Sequence, residues 1–266
     1  MADPSSSRLA APSTWHFGPP DAAVVVRNAE ALMAHLAVHL GGWPVRHAGD
    51  APPPPEIDVI VAGAADIGLA FADAPPLSFD DPPAAAGALA DALVTRFAAK
   101  AGRLDFAAAA VAAPGGLVCL VGPPRSGRTL LALQLAVIGW RLHADSRLAV
   151  RVGQGAPAGL CLGLTPRLSM PLPPDVGPAL AEFVDGYLEI RNGRDGYLKL
   201  WAGEAAGFGD EAAIRAVVEI AREEGAEPVL AEAGTHPVLG VPAFTLRYGR
   251  SAEAARVVYR RFSGRA

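Results

Sequence analysis

Apolar positions recur along the chain at two spacings, and the alternation between them predicts strands and helices in turn. Ala22–Arg27 is a short apolar run that reads as a strand. Asn28 is expected to cap a helix whose face carries Leu32, Leu36 and Leu40 and which ends at Gly41. Beyond the prolines of 52–55, Ile57–Ala62 is a second strand. Asp81 and Pro82 read as the cap and first turn of another helix, with Leu89, Leu93 and Phe97 at four-residue spacing and a stop near Gly102. Ala107–Ala113 and Leu117–Val121 follow as adjacent strands joined by a turn at Pro114–Gly116. Leu130–Val137 is apolar enough for a buried helix closed by Gly139, and Arg141–Ala144 leads into a further strand. Pro171, Pro173 and Pro174 make residues 146–178 an extended loop. Asp210 is placed as the cap of a helix with Ile214, Val217, Val218 and Ala221 inward. Val229–Ala231 and Phe244–Tyr248 are the last strands, and no internal repeat is present. The pattern predicts an α/β protein in three parts: a flexible tail over 1–20, a smaller N-terminal α/β region over 21–102, and a second domain over 103–266.

Composition narrows the functions. Of 266 residues, 51% are apolar and 19% charged, which is ample for a packed core. No apolar run reaches the roughly 18–20 residues a membrane span needs, so no membrane partner is expected. Met1–Thr14 is Ser/Pro/Ala-rich and lacks a basic segment followed by an apolar stretch, which points to a cytoplasmic protein. Cys119 and Cys161 offer no disulfide framework and read as buried thiols. The net charge of −4 argues against nucleic acid as a partner. Residues 1–100 carry 5 basic and 11 acidic side chains, net −6, while residues 250–266 carry five arginines against Glu253, net +4. That basic end reads as a solvated tail. His35 and His39 stand one helical turn apart without a third ligand, so they are expected at the surface or half-buried.

The chemistry concentrates in one segment. Leu117–Val121 runs into Gly122-Pro-Pro-Arg-Ser-Gly-Arg-Thr129, which matches the P-loop pattern G-x-x-x-x-G-K-[ST] at each fixed position except the lysine, here Arg128. A strand before and a helix after supply the required context. Backbone N–H groups of such a loop converge on phosphate oxygens, and the helix adds its positive end. Gly122, Arg125, Ser126, Gly127, Arg128 and Thr129 are the candidate nucleotide-binding residues, with Thr129 as the hydroxyl for Mg²⁺. Arg128 keeps the charge of the lysine but carries it on a planar fork. Asp145, directly after the strand Arg141–Ala144, is placed at the carboxyl edge of the sheet, where it can orient a hydroxyl or a metal-bound water. A salt bridge to Arg141 or Arg147, or a helix cap, is the alternative use of that carboxylate. His143 shares the strand and is expected to pack or hydrogen-bond internally, and His236 sits in a turn.

Gly139-Trp-Arg-Leu-His-Ala-Asp145-Ser146, together with Phe106–Val111 and the P-loop, resembles the kinase domain of the HPr kinase/phosphorylase family, above all its divergent members from bacterial gene clusters. The resemblance covers residues 103–150. It implies a P-loop HPr-kinase-like α/β domain that uses ATP and Mg²⁺ to phosphorylate a Ser or Thr hydroxyl of a protein or peptide, in a homo-oligomer. Carried over, Asp145 is the general base, Thr129 the Mg²⁺ ligand and Arg128 the phosphate cation. The chain departs from the family's pattern where Ser146 replaces a second aspartate, where Phe106 or Ala107 replaces a histidine, and at Arg128. Glu189-Ile-Arg-Asn-Gly193 is a partial echo of a later E-I-R-G-x-G signature, with Glu182 as a rival metal ligand. These losses raise a second expectation, a nucleotide-binding pseudokinase or regulatory subunit without turnover.

Overall fold

The computed structural model describes residues 13–49, 52–63, 66–153, 155–192 and 194–264. It is a mixed α/β protein that divides into two compact units, one holding residues up to 37 and 44–97, the other residues 38–43 and 98 onward. In the first unit, β1 (Thr14–Phe17), β2 (Val24–Arg27), β3 (Val45–His47), β4 (Ile57–Gly63), β5 (Asp66–Phe71) and β6 (Leu77–Phe79) form a sheet in the order β3-β1-β2-β4-β5-β6. A 3₁₀ turn at Ala29–Leu32 leads into helix α1 (Met33–His39), and α2 (Pro82–Lys100) closes the unit. The expected tail is corrected from residue 13 onward: Thr14–Phe17 pairs with β2 and β3, because Thr14 and Phe17 bury themselves against that sheet. Residues 1–12 lie outside the described residues, as do Gly193 and Arg265.

Two caps were expected in this unit. Asp81 accepts the Ala84 amide at 3.1 Å and starts α2 as predicted. Asn28 does not cap. It adopts a left-handed conformation (φ 59°), and its side-chain amide donates to Asp58 at 3.1 Å.

The second unit is built on β7 (Leu104–Phe106), β8 (Ala109–Ala113), β9 (Gly116–Val121), β10 (Arg141–Ala144), β11 (Leu148–Arg151) and β12 (Ala158–Leu160). Joining these is β16 (Glu211–Arg222), and the strand order is β10-β8-β9-β16-β12-β11-β7. A small separate sheet holds β13 (Arg167–Ser169), β14 (Leu188–Asn192) and β15 (Asp195–Leu198). The hairpin β17 (Val229–Thr235) and β18 (Pro242–Tyr248) joins through β18, which lies parallel to β16. Helices α3 (Arg128–Val137), α4 (Pro178–Tyr187) and α5 (Ser251–Phe262) cover one face.

Residues 211–222 correct the sequence reading most sharply. The spacing Ile214, Val217, Val218, Ala221 is helical, yet the segment is a strand of 12 residues with partners on both sides. Both faces of the sheet are covered, so consecutive residues can be apolar without a helix. Ala216, Val218 and Ile220 enter the core under the helices, while Ile214 and Val217 enter the opposite core with Leu117, Cys119 and Leu239. The β-branched content of Ile214, Val217, Val218 and Ile220 was the signal for a strand. Asp210, read as a helix cap, accepts the Gly207 amide instead.

Residues 146–178 also differ from the expected loop, since β11, β12 and β13 lie within them. The prolines follow β13 and so leave these short strands free to form. The basic end is not a free tail: α5 buries Ala254, Ala255, Val258 and Phe262 against the core and turns its arginines outward. Among the described residues no helix is long and apolar enough to cross a membrane.

A charge placed on β16 separates the two readings of this segment. Ala216→Asp puts an unpaired carboxylate in the core and should cost roughly 3 kcal/mol or more. Ala221→Asp lands on an exposed position and should stay within about 0.5 kcal/mol. Urea unfolding of both variants measures the difference. Equal losses would fit a helix with Ala221 inward and not this strand.

Candidate functional site

The site begins where β9 stops. An ideal Cβ at Gly122 would stand 2.9 Å from the Ile220 carbonyl oxygen and 2.9 Å from Ser126 Oγ, so only glycine lets the chain turn this close to β16. Pro123 and Pro124 bring no amide donors. Pro123 accepts the Ser126 amide at 3.2 Å, which tightens the loop. Arg125 is left-handed at φ 65°, and Gly127 at φ 91° delivers the chain into α3. The first intrahelical bond of α3 runs from the Leu131 amide to the Gly127 carbonyl at 2.9 Å. The amides of Gly127, Arg128, Thr129 and Leu130 therefore come before any intrahelical acceptor. Ser126 is only 8% exposed, and its Oγ is buried without a hydrogen-bond partner. An anion brought to this end of α3 meets unsatisfied donors and the positive end of the helix dipole.

Beside the loop stands Asp145, 3% exposed at the end of β10. β10 and β9 both run antiparallel to β8, so they share a direction and their carboxyl ends meet at one edge. The Thr129 hydroxyl donates to Asp145 Oδ1 at 2.6 Å, and the Arg167 amide donates to Oδ2 at 3.1 Å. The two arginines considered as its ion-pair partners are engaged elsewhere: Arg147 pairs with Asp105 and Arg141 with Asp210. Burial raises the Asp145 carboxyl above the ordinary carboxylate range, opposed by the Thr129 and Arg167 hydrogen bonds and by the Arg128 charge. Each oxygen of an ionised carboxylate has more than one acceptor site, so both retain capacity beyond these bonds.

Arg128 heads α3, and its guanidinium donates to the Ala107 carbonyl at 2.9 Å. Its charge is thus held toward the segment between β7 and β8. Ser146 follows Asp145 in a left-handed conformation at φ 63°. The other candidates lie elsewhere. His143 is buried and bonds through Nε2 to the Gly159 carbonyl at 3.0 Å, and desolvation lowers its pKa. His236 sits edge-on to Phe106, and His39 edge-on to Tyr197. Glu189 pairs with Lys199 at 3.0 Å, and Glu182 is exposed on α4. Cys119 and Cys161 are buried free thiols, raised to about 12 and about 11 by burial. Among the described residues no group of three His, Cys, Asp or Glu side chains could hold a metal.

Two contributors were not visible in the sequence. The Arg167 donor is a backbone group, which leaves no trace in residue type. Tyr248 donates from its hydroxyl to the Ser126 carbonyl at 3.0 Å. It ends an apolar strand run, and only the fold brings it under the loop.

No family model matches the chain, and no curated protein matches it. Among solved structures, the HPr(Ser) kinase/phosphatase from Coxiella burnetii is similar at 12% identity and a TM-score of 0.37, over 60% of this chain and 95% of that one. A likeness of that degree carries no residue roles across, and the roles below rest on this chain's own residues.

The buried carboxyl gives a pH signature. In the folded chain Asp145 keeps its proton to higher pH than in the unfolded chain, where it ionises near about 4. The stability it contributes is full below that pH and is lost as pH rises through the folded value. Asp145→Asn removes this titration, so its Tm relative to wild type should climb as pH is raised from about 4. Parallel Tm profiles for the two proteins would contradict an upward shift.

Proposed function

We propose that this chain is an ATP-binding phosphotransferase of the HPr-kinase-like kind, acting in the cytoplasm on a Ser or Thr hydroxyl of a protein or peptide. The observation that supports it above all is the 2.6 Å bond between Thr129 and Asp145 at the head of α3, beside unpaired amides. A hydroxyl is a hard oxygen donor of the type Mg²⁺ takes, and Mg²⁺ completes its shell with waters and phosphate oxygens. The buried Ser126 Oγ and the glycine-only approaches at Gly122 and Gly127 also suit a bound polyphosphate. Thr129 would hold the ion, which when bound would neutralise charge on the phosphates, and Asp145 stays available as the base.

In this reading the amides of Gly127, Arg128 and Thr129 hold the phosphate oxygens in place, with Gly122, Arg125 and Ser126 shaping the loop around them. Asp145 takes the proton from the acceptor hydroxyl as that oxygen bonds to the γ-phosphorus. The bond to the β,γ-bridging oxygen breaks, and ADP leaves. A carboxyl raised above its ordinary range suits that task, because a base works best with a pKa near the working pH. A homo-oligomeric assembly is part of this proposal.

The Arg128 bond to the Ala107 carbonyl favours a second reading, nucleotide binding without turnover. A phosphate cation engaged with a backbone carbonyl leaves binding to the backbone and weakens charge compensation in the transition state.

Three measurements test the readings. Mg-ATP should raise Tm by mass action, and no shift at millimolar nucleotide would remove both. With transfer detectable in wild type, Asp145→Asn should lower it by about 10²–10⁴-fold, and undiminished transfer would end its role as base. Arg128→Lys should raise transfer if the guanidinium is what restrains turnover. An unchanged rate would show that the cation's identity is not limiting.

A further inference from the structure

We propose that Tyr248 is a positioning residue for the phosphate cup, a role that rests on the phosphate-binding reading above. The residue lies at the end of β18, is completely buried, and donates its hydroxyl to the Ser126 carbonyl at 3.0 Å. A peptide unit is planar and trans, so its C=O and N–H point in opposite directions. Holding the Ser126 carbonyl toward β18 turns the N–H of Gly127 away from β18. Gly127 is the first of the unsatisfied amides at the head of α3. One side chain thereby fixes the direction of the donor on which an incoming phosphate depends.

Four further features bear on this contact. An ideal Cβ at Gly127 would lie 2.6 Å from Tyr248 Oη, so glycine is required both for its φ of 91° and for the room the hydroxyl occupies. The preceding amide of Ser126 is engaged with Pro123, and the two prolines donate nothing, so the loop has few donors to spare. Desolvation pushes the Tyr248 hydroxyl up to about 12, and it stays a proton donor throughout the physiological range. Beyond the hydroxyl, β18 is fixed to β16 in parallel register up to Arg222 and Tyr248, and Arg222 pairs with Asp175 at 3.0 Å. The support therefore stands on a paired strand and not on a loop.

The test uses inorganic tripolyphosphate as the probe, titrated calorimetrically into wild type, Tyr248→Phe and a control, Tyr259→Phe, which stacks on Trp140 away from the loop. Tyr248→Phe should bind on the order of tenfold more weakly, with the control unchanged. Hydrogen exchange at the Gly127 amide, measured without ligand, should be faster in the variant. Gly127→Ala crowds the same hydroxyl from the other side and should weaken binding in the same direction, which keeps a test in hand if Tyr248→Phe does not fold. Equal affinity of Tyr248→Phe and wild type, or unchanged Gly127 exchange, overturns the proposal. If wild type itself binds no tripolyphosphate while Gly127 exchange still changes in the variant, the phosphate reading fails and the hold of Tyr248 on the peptide stands.

Discussion

Parallel strands need cover on both faces, and β16, with β9 on one side and β18 on the other, meets that need with a core above and a core below. The pairing has a geometric consequence. β9, β16 and β18 end at the same edge, and β10, reversed twice through β8, ends there too. Gly122, Asp145 and Tyr248 come from separate parts of the chain and converge because their strands share a direction. The loop is thus gripped by β16 at Gly122 and by β18 at Ser126 and Gly127, and α3 can start only where these contacts leave it.

How much of this was legible depended on how local the cause was. The loop, its flanking strand and helix, and Asp145 at the end of β10 were readable because each rests on neighbours in sequence. Glycines at fixed positions record a requirement for space or positive φ, and both hold at Gly122 and Gly127. β16 was not readable in the same way. Its helical spacing arises from burial on both faces plus an irregularity in its pairing between Ile214 and Ala216, which moves the apolar positions out of strict alternation. The arginines of α5 pointed to a solvated end because charge is visible in a sequence, while a face of Ala254, Ala255 and Val258 is small and easily overlooked. β11 and β12 are short and sit among glycines, and their pairing with β7 and β16 is long-range.

Donors at the candidate site come mainly from the backbone, and this bears on the missing lysine. A cup of amides keeps its geometry so long as the peptide units stay in place, whatever the side chain at position 128. A guanidinium is long enough to reach past the helix head, and in this chain it finds the Ala107 carbonyl. In the proposed reading, phosphate binding and phosphate activation are therefore separable. The first rests on glycine positions and α3, the second on where one cation points.

Asp145 poses the opposite problem, since its contribution depends on a charge that burial disfavours. A carboxylate with little exposure stays ionised only if donors replace water, and Thr129 and the Arg167 amide replace part of it. Ser146 adds a further backbone hydrogen bond, and the carboxylate keeps acceptor capacity beyond these. In the proposed reading, such a site gains most from a ligand that brings positive charge with it, as a divalent cation carried on a polyphosphate does. The raised carboxyl and the unpaired amides are thus complementary halves of one electrostatic arrangement, negative at the end of β10 and positive at the head of α3, with Thr129 shared between them.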